Sequence, residues 1–405
     1  MAAGADLNTP GTALTPGAAE LKKLVVDAQS MVRQGNARSA LEMLQNAPPQ
    51  LKSHIDFHMN MAIAQRALGD LPAAIKALNA ALALDPYAFM PMLSKGSILE
   101  QMGRMRQAAE VYKNVLRIAP ADAETHASLR APMLHAKQVV EQQSLAMATH
   151  LRDALGSLMN EHRHEPMARF EECLDVVAGV KRVYNAEPVQ VHYPRLPAIP
   201  FFDRSYFPWF ETLEAATGTI QEELQSLLDD GLPGFKPYVQ YAPGTPENQF
   251  KPLNHSDSWS SLWLWKDGQP QQEAMARCPK TTAVLAQLPL ADQPDFAPTA
   301  LFSALAPHTR IPPHTGSTNT RLLVHLPLVL PGPAGFRVGN ETREWRLGEA
   351  WAFDDTIEHE AWNDASETRV IMIFDIWNPL LSAAERSMVS ALLGAHRDWL
   401  AGTDS

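Results

Sequence analysis

Hydrophobic and polar positions follow two different rhythms in the two halves of the chain. Up to about Gly179, apolar residues recur among polar ones at helical intervals, as in Met147 to Leu158 and Met167 to Val177. From Ala300 to Trp377 they fall into short continuous or alternating runs parted by Gly, Pro and Asn, the pattern of an antiparallel sandwich or barrel. The runs predict strands from Leu301 to Ala306, Arg321 to Leu330, Gly335 to Val338, Ala350 to Phe353 and Thr368 to Ile376. Between the two rhythms, Pro188, Pro194, Pro197 and Pro200 break helical continuity.

The helical half repeats itself. Gly35, Gly69 and Gly103 are separated by equal steps of 34, with Ala40, Ala74 and Ala108 five residues further on. Leu44, Leu78 and Tyr112 follow four residues later, and the last two units close with Asp85-Pro86 and Ala119-Pro120. Glycine permits a tight turn between two antiparallel helices, alanine their close approach, and proline ends the second helix. This register resembles the tetratricopeptide repeat, clearly in Gly69-Asp70-Leu71-Pro72-Ala73-Ala74 and Gly103-Arg104-Met105-Arg106-Gln107-Ala108. The unit from near Leu21, with Pro48-Pro49 at its end, reads as a capping or degenerate repeat. Such arrays bind segments of other proteins on a concave face, although helices of this kind also serve simply to extend or dimerise an enzyme. The expected organisation is a disordered tail at residues 1–18, repeats at 19–150, a helical bridge and linker at 151–190, and a β-rich domain at 191–395.

Composition narrows the function. A chain of 405 residues can bury more than one core. Its net charge of -11 argues against a nucleic-acid partner, which requires concentrated Lys and Arg. Cys173 and Cys278, far apart and outside any CxxC pair, read as core thiols in a reducing compartment. Residues 1–20 show no basic region followed by an apolar run, and the apolar stretch Leu322 to Leu330 is short and interrupted by His325 and Pro327. A soluble, cytoplasmic protein without a membrane partner is expected.

Ionisable residues fall within the apolar strands. Period-two alternation puts Arg321, Leu323 and His325 on one face. Arg369 opens a run so apolar that both faces read as buried, and a buried guanidinium needs an anion. That anion is either a bound carboxylate or an internal partner such as Asp354, Asp355 or Glu358. His314 and His359 sit at strand mouths, and imidazole is a ligand for Fe(II). Trp259, Trp263 and Trp265 are candidates to line a pocket or to pack an ordinary core.

The ordered set His314, His359, Arg369 resembles the Fe(II)/2-oxoglutarate dioxygenases. More narrowly, Pro313-His314-Thr315-Gly316-Ser317-Thr318-Asn319, Gly339-Asn340-Glu341-Thr342-Arg343-Glu344-Trp345 and Phe353-Asp354-Asp355-Thr356-Ile357-Glu358-His359-Glu360-Ala361-Trp362 resemble the aspartyl/asparaginyl β-hydroxylase family, over roughly Pro200 to Pro379. The resemblance implies a double-stranded β-helix, or jelly-roll, domain that couples oxidative decarboxylation of 2-oxoglutarate to hydroxylation of a C–H bond. It implies His314 and His359 as metal ligands, with Gly316 where ordinary members of the class carry a carboxylate. Arg369 and Ser303 would hold the distal carboxylate of 2-oxoglutarate, His325 the carboxylate beside the keto group, and Trp259 would pack at the pocket. Arg321 would bind an acidic substrate side chain. The sequence departs from the family at Leu323, where a second arginine is usual, and at Asn254, where a basic residue is expected. The implied substrate is an Asp or Asn residue of a peptide or protein, hydroxylated at the β-carbon and presented by the repeats. Rival readings are a free or carrier-bound amino acid or a lipid acyl chain as substrate, an adaptor with an inert oxygenase domain, and zinc-dependent hydrolysis, which the lack of a third ligand disfavours.

Overall fold

The computed structural model describes residues 16–400 and 402, except 124, 232, 233 and 247. Of the tail expected at residues 1–18, residues 1–15 lie outside the described residues and 16–18 open the first helix. The chain divides into two compact units, Met1–Lys181 and Arg182–Ser405.

The first unit is built of helices α1 (Pro16–Arg33), α2 (Ala37–Gln45), α3 (Ile55–Ala67), α4 (Leu71–Leu84), α5 (Phe89–Gln101), α6 (Met105–Ile118), α7 (Arg130–Glu161) and α8 (Ala168–Ala178). Gly35, Gly69 and Gly103 occupy the turns within the first three pairs at φ of 83°, 79° and 71°, a left-handed conformation that favours glycine. Ala40, Ala74 and Ala108 are fully buried, as close helix packing requires. The division expected at residue 150 between repeats and bridge falls inside α7, which runs unbroken through it. α8 then folds back, so that Leu174 and Ala178 pack with Ala148, Leu151 and Leu155; residues 151–181 of the expected bridge and linker therefore belong to the helical unit and 182–190 to the second. Cys173, expected in the core, is exposed on α8, whereas Cys278 is buried.

The second unit is β-rich. Its helices are α9 (Phe210–Ala215), α10 (Thr217–Asp229), α11 (Gln272–Arg277), α12 (Pro279–Leu285) and α13 (Ala383–Leu400). Its strands are β1 (Lys236–Pro237), β2 (Trp259–Lys266), β3 (Gln269–Pro270), β4 (Ala300–Leu305), β5 (Thr309–His314), β6 (Arg321–Val329), β7 (Ala334–Val338), β8 (Glu341–Glu344), β9 (Trp351–Phe353), β10 (His359–Asn363) and β11 (Arg369–Trp377). One antiparallel sheet has the order β1-β2-β4-β11-β6-β9, with β3 beside β2, and the other has the order β5-β10-β7-β8.

β4, β6 and β11 are buried on both faces, which explains their near-continuous apolar sequences. On one face, Phe302, Val324, Leu326, Met372 and Phe374 pack against Phe210, Leu213, Ile220, Leu224 and Leu285 of the helices. On the other, Leu305, Ile371 and Ile373 meet Ile311, Phe336, Val338 and Ala361 from the second sheet. Each such fully buried side chain contributes roughly 1.5–3 kcal/mol. Among the described residues, no helix is long and apolar enough to cross a membrane.

Candidate active site

The two histidines meet across a strand pair. β5 ends on His314 and β10 begins on His359, and the antiparallel register makes them direct partners, with an irregularity just after His359. Their ring centroids are 4.1 Å apart. Each Nδ1 lies against a backbone carbonyl two residues upstream, His314 against Pro312 O at 2.8 Å and His359 against Ile357 O at 3.0 Å. A carbonyl only accepts, so each Nδ1 carries the proton and each Nε2 keeps its lone pair, the arrangement of a metal-ligating imidazole. Burial lowers the pKa of His314 and, with help from the neighbouring His314, drives that of His359 well below the ordinary 6.5. Both are therefore neutral near pH 7 and fit a divalent transition metal. Among the described residues, no group of three or more His, Cys, Asp and Glu could hold such an ion.

Gly316, two residues after His314, is hemmed in by Asp355. A Cβ at Gly316 would run into the Asp355 carboxyl group, and Gly316 N donates to Asp355 O at 2.7 Å. Burial, reinforced by Asp354, pushes the Asp355 pKa up to about 7.

The cationic end is formed by Arg369 at the start of β11. It is 1% exposed, and its Nε, Nη1 and Nη2 have no hydrogen-bond partner among the described residues. Its guanidinium lies over the Trp345 ring, 5.2 Å from the centroid, and burial lowers its pKa to about 9. The internal carboxylate partners considered from sequence are engaged elsewhere. Asp354 accepts from Thr356 N at 3.0 Å, and Glu358 pairs with Arg182 at 2.7 Å and Arg337 at 3.0 Å. Asp355 makes no bond to Arg369, whose three nitrogens stay unsatisfied.

On the neighbouring strand β4, Ser303 Oγ accepts from Trp259 Nε1 at 3.1 Å, leaving its own proton to donate. His325 on β6 stacks on Trp345 with centroids 5.5 Å apart, and its Nδ1 lacks a partner. Burial, followed by the charge of Arg369, keeps its pKa well below the ordinary value. His314, His359, His325, Arg369, Ser303 and Trp259 all line one cavity of about 390 Å³, a size suited to a small ligand.

Arg321 does not join them. It shares a strand face with Leu323 and His325, but its guanidinium is ion-paired with buried Asp375 and donates to Phe296 O at 3.0 Å. The pairing follows from register, because β11 runs antiparallel beside β6 and sets Asp375 opposite Leu323, one face position from Arg321. The anion expected from a substrate is thus already supplied by the protein. Trp263 and Trp265 also lie outside the cavity lining, the former stacked on Tyr238 and the latter packed on the helix-side core.

Several cavity residues escaped sequence reasoning. Tyr238 stacks on Trp259 at 4.0 Å, Phe250 meets His314 edge-on at 5.1 Å, and Tyr241 also lines the cavity. They lie in or beside an irregular segment without periodicity, where Asn254 Oδ1 accepts from Tyr241 N at 2.9 Å and so fixes the loop rather than offering a charge. Trp345 gave a signal within its motif but no hint that it would back both Arg369 and His325.

The profile of a family described as "Aspartyl/Asparaginyl beta-hydroxylase" matches residues 214–379, and that of a tetratricopeptide repeat matches residues 92–122. The chain is 31% identical over 204 residues to the ornithine lipid ester-linked acyl 2-hydroxylase of Rhizobium tropici, covering 49% of this chain and 68% of that protein. It is 33% identical over 197 residues to the aspartyl/asparaginyl beta-hydroxylase of Mus musculus, covering 46% of this chain but 25% of that protein. Its match thus spans about two thirds of the bacterial relative and a quarter of the mouse one. The first tetratricopeptide domain of the human RPAP3 protein aligns at 16% identity over 30% of this chain and 93% of that chain, with a TM-score of 0.26, a likeness too small to bear on the fold.

Proposed function

The chain belongs to the aspartyl/asparaginyl β-hydroxylase family, a family of hydroxylases, and from that premise we propose that it is an Fe(II)- and 2-oxoglutarate-dependent dioxygenase. The observation that carries this reading is Arg369, a fully buried guanidinium with three unsatisfied nitrogens in a cavity that also contains the two-histidine pair. An uncompensated buried cation is costly, and a dicarboxylate offers the missing anion.

His314 and His359 would hold the metal through Nε2. Arg369 and the Ser303 hydroxyl would take the distal carboxylate of 2-oxoglutarate, and His325 would donate to the carboxylate beside the keto group. Trp259 positions Ser303 through its indole N–H and, with Tyr238 stacked on it, helps to keep water from that end of the cavity. When bound, Fe(II) supplies the oxidising chemistry: one O₂ is consumed, 2-oxoglutarate becomes succinate and CO₂, and the substrate C–H becomes C–OH. The chain's contribution is placement and desolvation.

For the substrate, the family name favours the β-carbon of an Asp or Asn residue in a peptide or protein, recruited by the tetratricopeptide unit of a cytoplasmic protein. A second reading, an acyl chain, is favoured by Leu323, which places an apolar side chain in the cavity lining. The test of the proposed chemistry is succinate formation from 2-oxoglutarate with Fe(II) under air. Turnover that disappears in both His314→Ala and Arg369→Ala is expected. Absence of turnover together with absence of metal-dependent 2-oxoglutarate binding would overturn the proposal.

A further inference from the structure

We propose that the extended segment 182–193 is a backbone clamp that sets the His314 and His359 rings relative to each other, and that metal affinity depends on it although neither histidine belongs to it. The inference rests on the reading of that pair as the metal site.

The two histidines sit at strand mouths, so each is held by the loop beside it as well as by its sheet. The loop after His314 and the loop before His359 already touch, through Gly316 N donating to Asp355 O at 2.7 Å. Segment 182–193 crosses both. Glu187 N donates to Thr356 O at 2.7 Å, three residues before His359, and Val189 N donates to Gly316 O at 2.9 Å, two residues after His314. Gln190 N and Val191 N then share Ser317 O at 3.0 and 3.1 Å. One short stretch thus fastens the loop of each histidine to the same backbone.

Both ends of the segment are tied. Arg182 pairs with Glu358, next to His359, at 2.7 Å, and its carbonyl accepts from Asn340 Nδ2 at 2.7 Å. Tyr193 exchanges two hydrogen bonds with the Asn319 side chain, at 2.7 and 2.9 Å. Tyr184 and Val191 pack inward, but Val183 and Val189 are 67% and 73% exposed, so the stretch over the loops is held chiefly by its backbone. Fixing a backbone costs conformational entropy, and here the hydrogen bonds to the two loops offset it.

A site built on two imidazoles depends heavily on their being set in advance, because every ordering step left to the metal is subtracted from binding. Groups that orient metal-binding imidazoles without touching the metal are worth about 10–100-fold in affinity. The clamp lies outside residues 214–379, the part that matches the hydroxylase family, and it begins directly after the helical unit ends at Lys181.

The test uses the full chain and Mn(II) as a stand-in for Fe(II), with affinity measured by calorimetric titration and integrity by thermal melting. Val189→Pro deletes the amide that bonds Gly316 O, whereas Val189→Ala trims only the exposed side chain. The proline variant is expected to bind Mn(II) about tenfold or more weakly, and the alanine variant like the wild type. A folded proline variant with wild-type Mn(II) affinity would overturn the proposal, as would an equal loss in the alanine variant.

Hydrogen exchange on the wild type supplies a second measurement that needs no substitution. Coupling is reciprocal, so a clamp that tightens metal binding about tenfold opens about tenfold less often once the metal is bound. Exchange of the Glu187, Val189, Gln190 and Val191 amides is therefore expected to slow by about that factor on saturation with Mn(II). Unchanged exchange at these amides overturns the proposal, whether or not the proline variant folds. Wild-type protein that binds no Mn(II) would instead overturn the metal reading of the histidine pair, and that titration is made first.

Discussion

Arg369 and His325 show how burial turns ordinary side chains into a receptor. A guanidinium sealed from water without an anion destabilises the apoprotein, so Arg369→Met is expected to melt at the same temperature or higher without ligand. The same change should weaken 2-oxoglutarate binding by at least roughly 2 kcal/mol, about thirtyfold, in a calorimetric titration, because it removes one partner of a buried charge pair. The opposite combination, lower stability with unchanged affinity, would make Arg369 a purely structural cation. His325 supplies a pH dependence. Its folded pKa lies well below 6.5, the value to which the unfolded chain returns, so below that pH the unfolded state binds a proton that the folded state does not. The stability present above pH 6.5 is therefore lost as pH falls, by up to about 1.4 kcal/mol per pH unit for this group. Between about pH 7.5 and about pH 5.5, thermal melting of the apoprotein should show His325→Leu losing less stability than the wild type, the remaining dependence reflecting His314 and His359, which shift the same way, and Asp355, whose raised pKa acts in the opposite direction.

At the scale of elements, close packing decides what each position tolerates. Gly316 stands where the Fe(II)/2-oxoglutarate dioxygenases that the sequence resembles ordinarily carry a metal-binding carboxylate, yet Asp355 fills the adjoining space. Gly316→Asp is therefore expected not to improve Mn(II) affinity, measured by calorimetric titration, and to cost about 1–3 kcal/mol of stability through overcrowding. Tighter Mn(II) binding would show that Asp355 yields readily. In the helical unit, a Cβ at Gly96 on α5 would collide with the Tyr112 ring on α6, so Gly96→Ala should lower stability by a similar amount in denaturant unfolding. β5 and β10 carry the two histidines but have the weakest strand signatures in the sequence. β5 contains Pro312 and Pro313, which lack the N–H of a central strand and are accommodated because β5 lies at the edge of its sheet. β10 is five residues long and mixes His, Glu and Asn with its apolar positions, so its alternation is too brief to stand out.

For the whole molecule, the two units have separate hydrophobic cores, one made from helical repeats and one from sheets with helices on one face. Heating is therefore expected to give two transitions. Mn(II) with 2-oxoglutarate at about a hundred times its dissociation constant should stabilise the β-rich unit by about 2.7 kcal/mol and raise its midpoint by roughly 5–10 °C, leaving the other transition in place. A ligand-induced shift of both midpoints would show the units to be energetically coupled. The sequence by itself determined the repeat register, the apolar strands β4, β6 and β11, and the residue types of the site, because glycine turns, buried alanines and apolar runs are local requirements that composition must meet. Only the tertiary structure decided that His314 and His359 face each other, that Arg369 has no protein anion among the described residues and that Arg321 already has one. Those outcomes depend on strand register and on which charges share a buried face, contacts between residues up to 54 positions apart, as Arg321 and Asp375 are, and no local pattern encodes them.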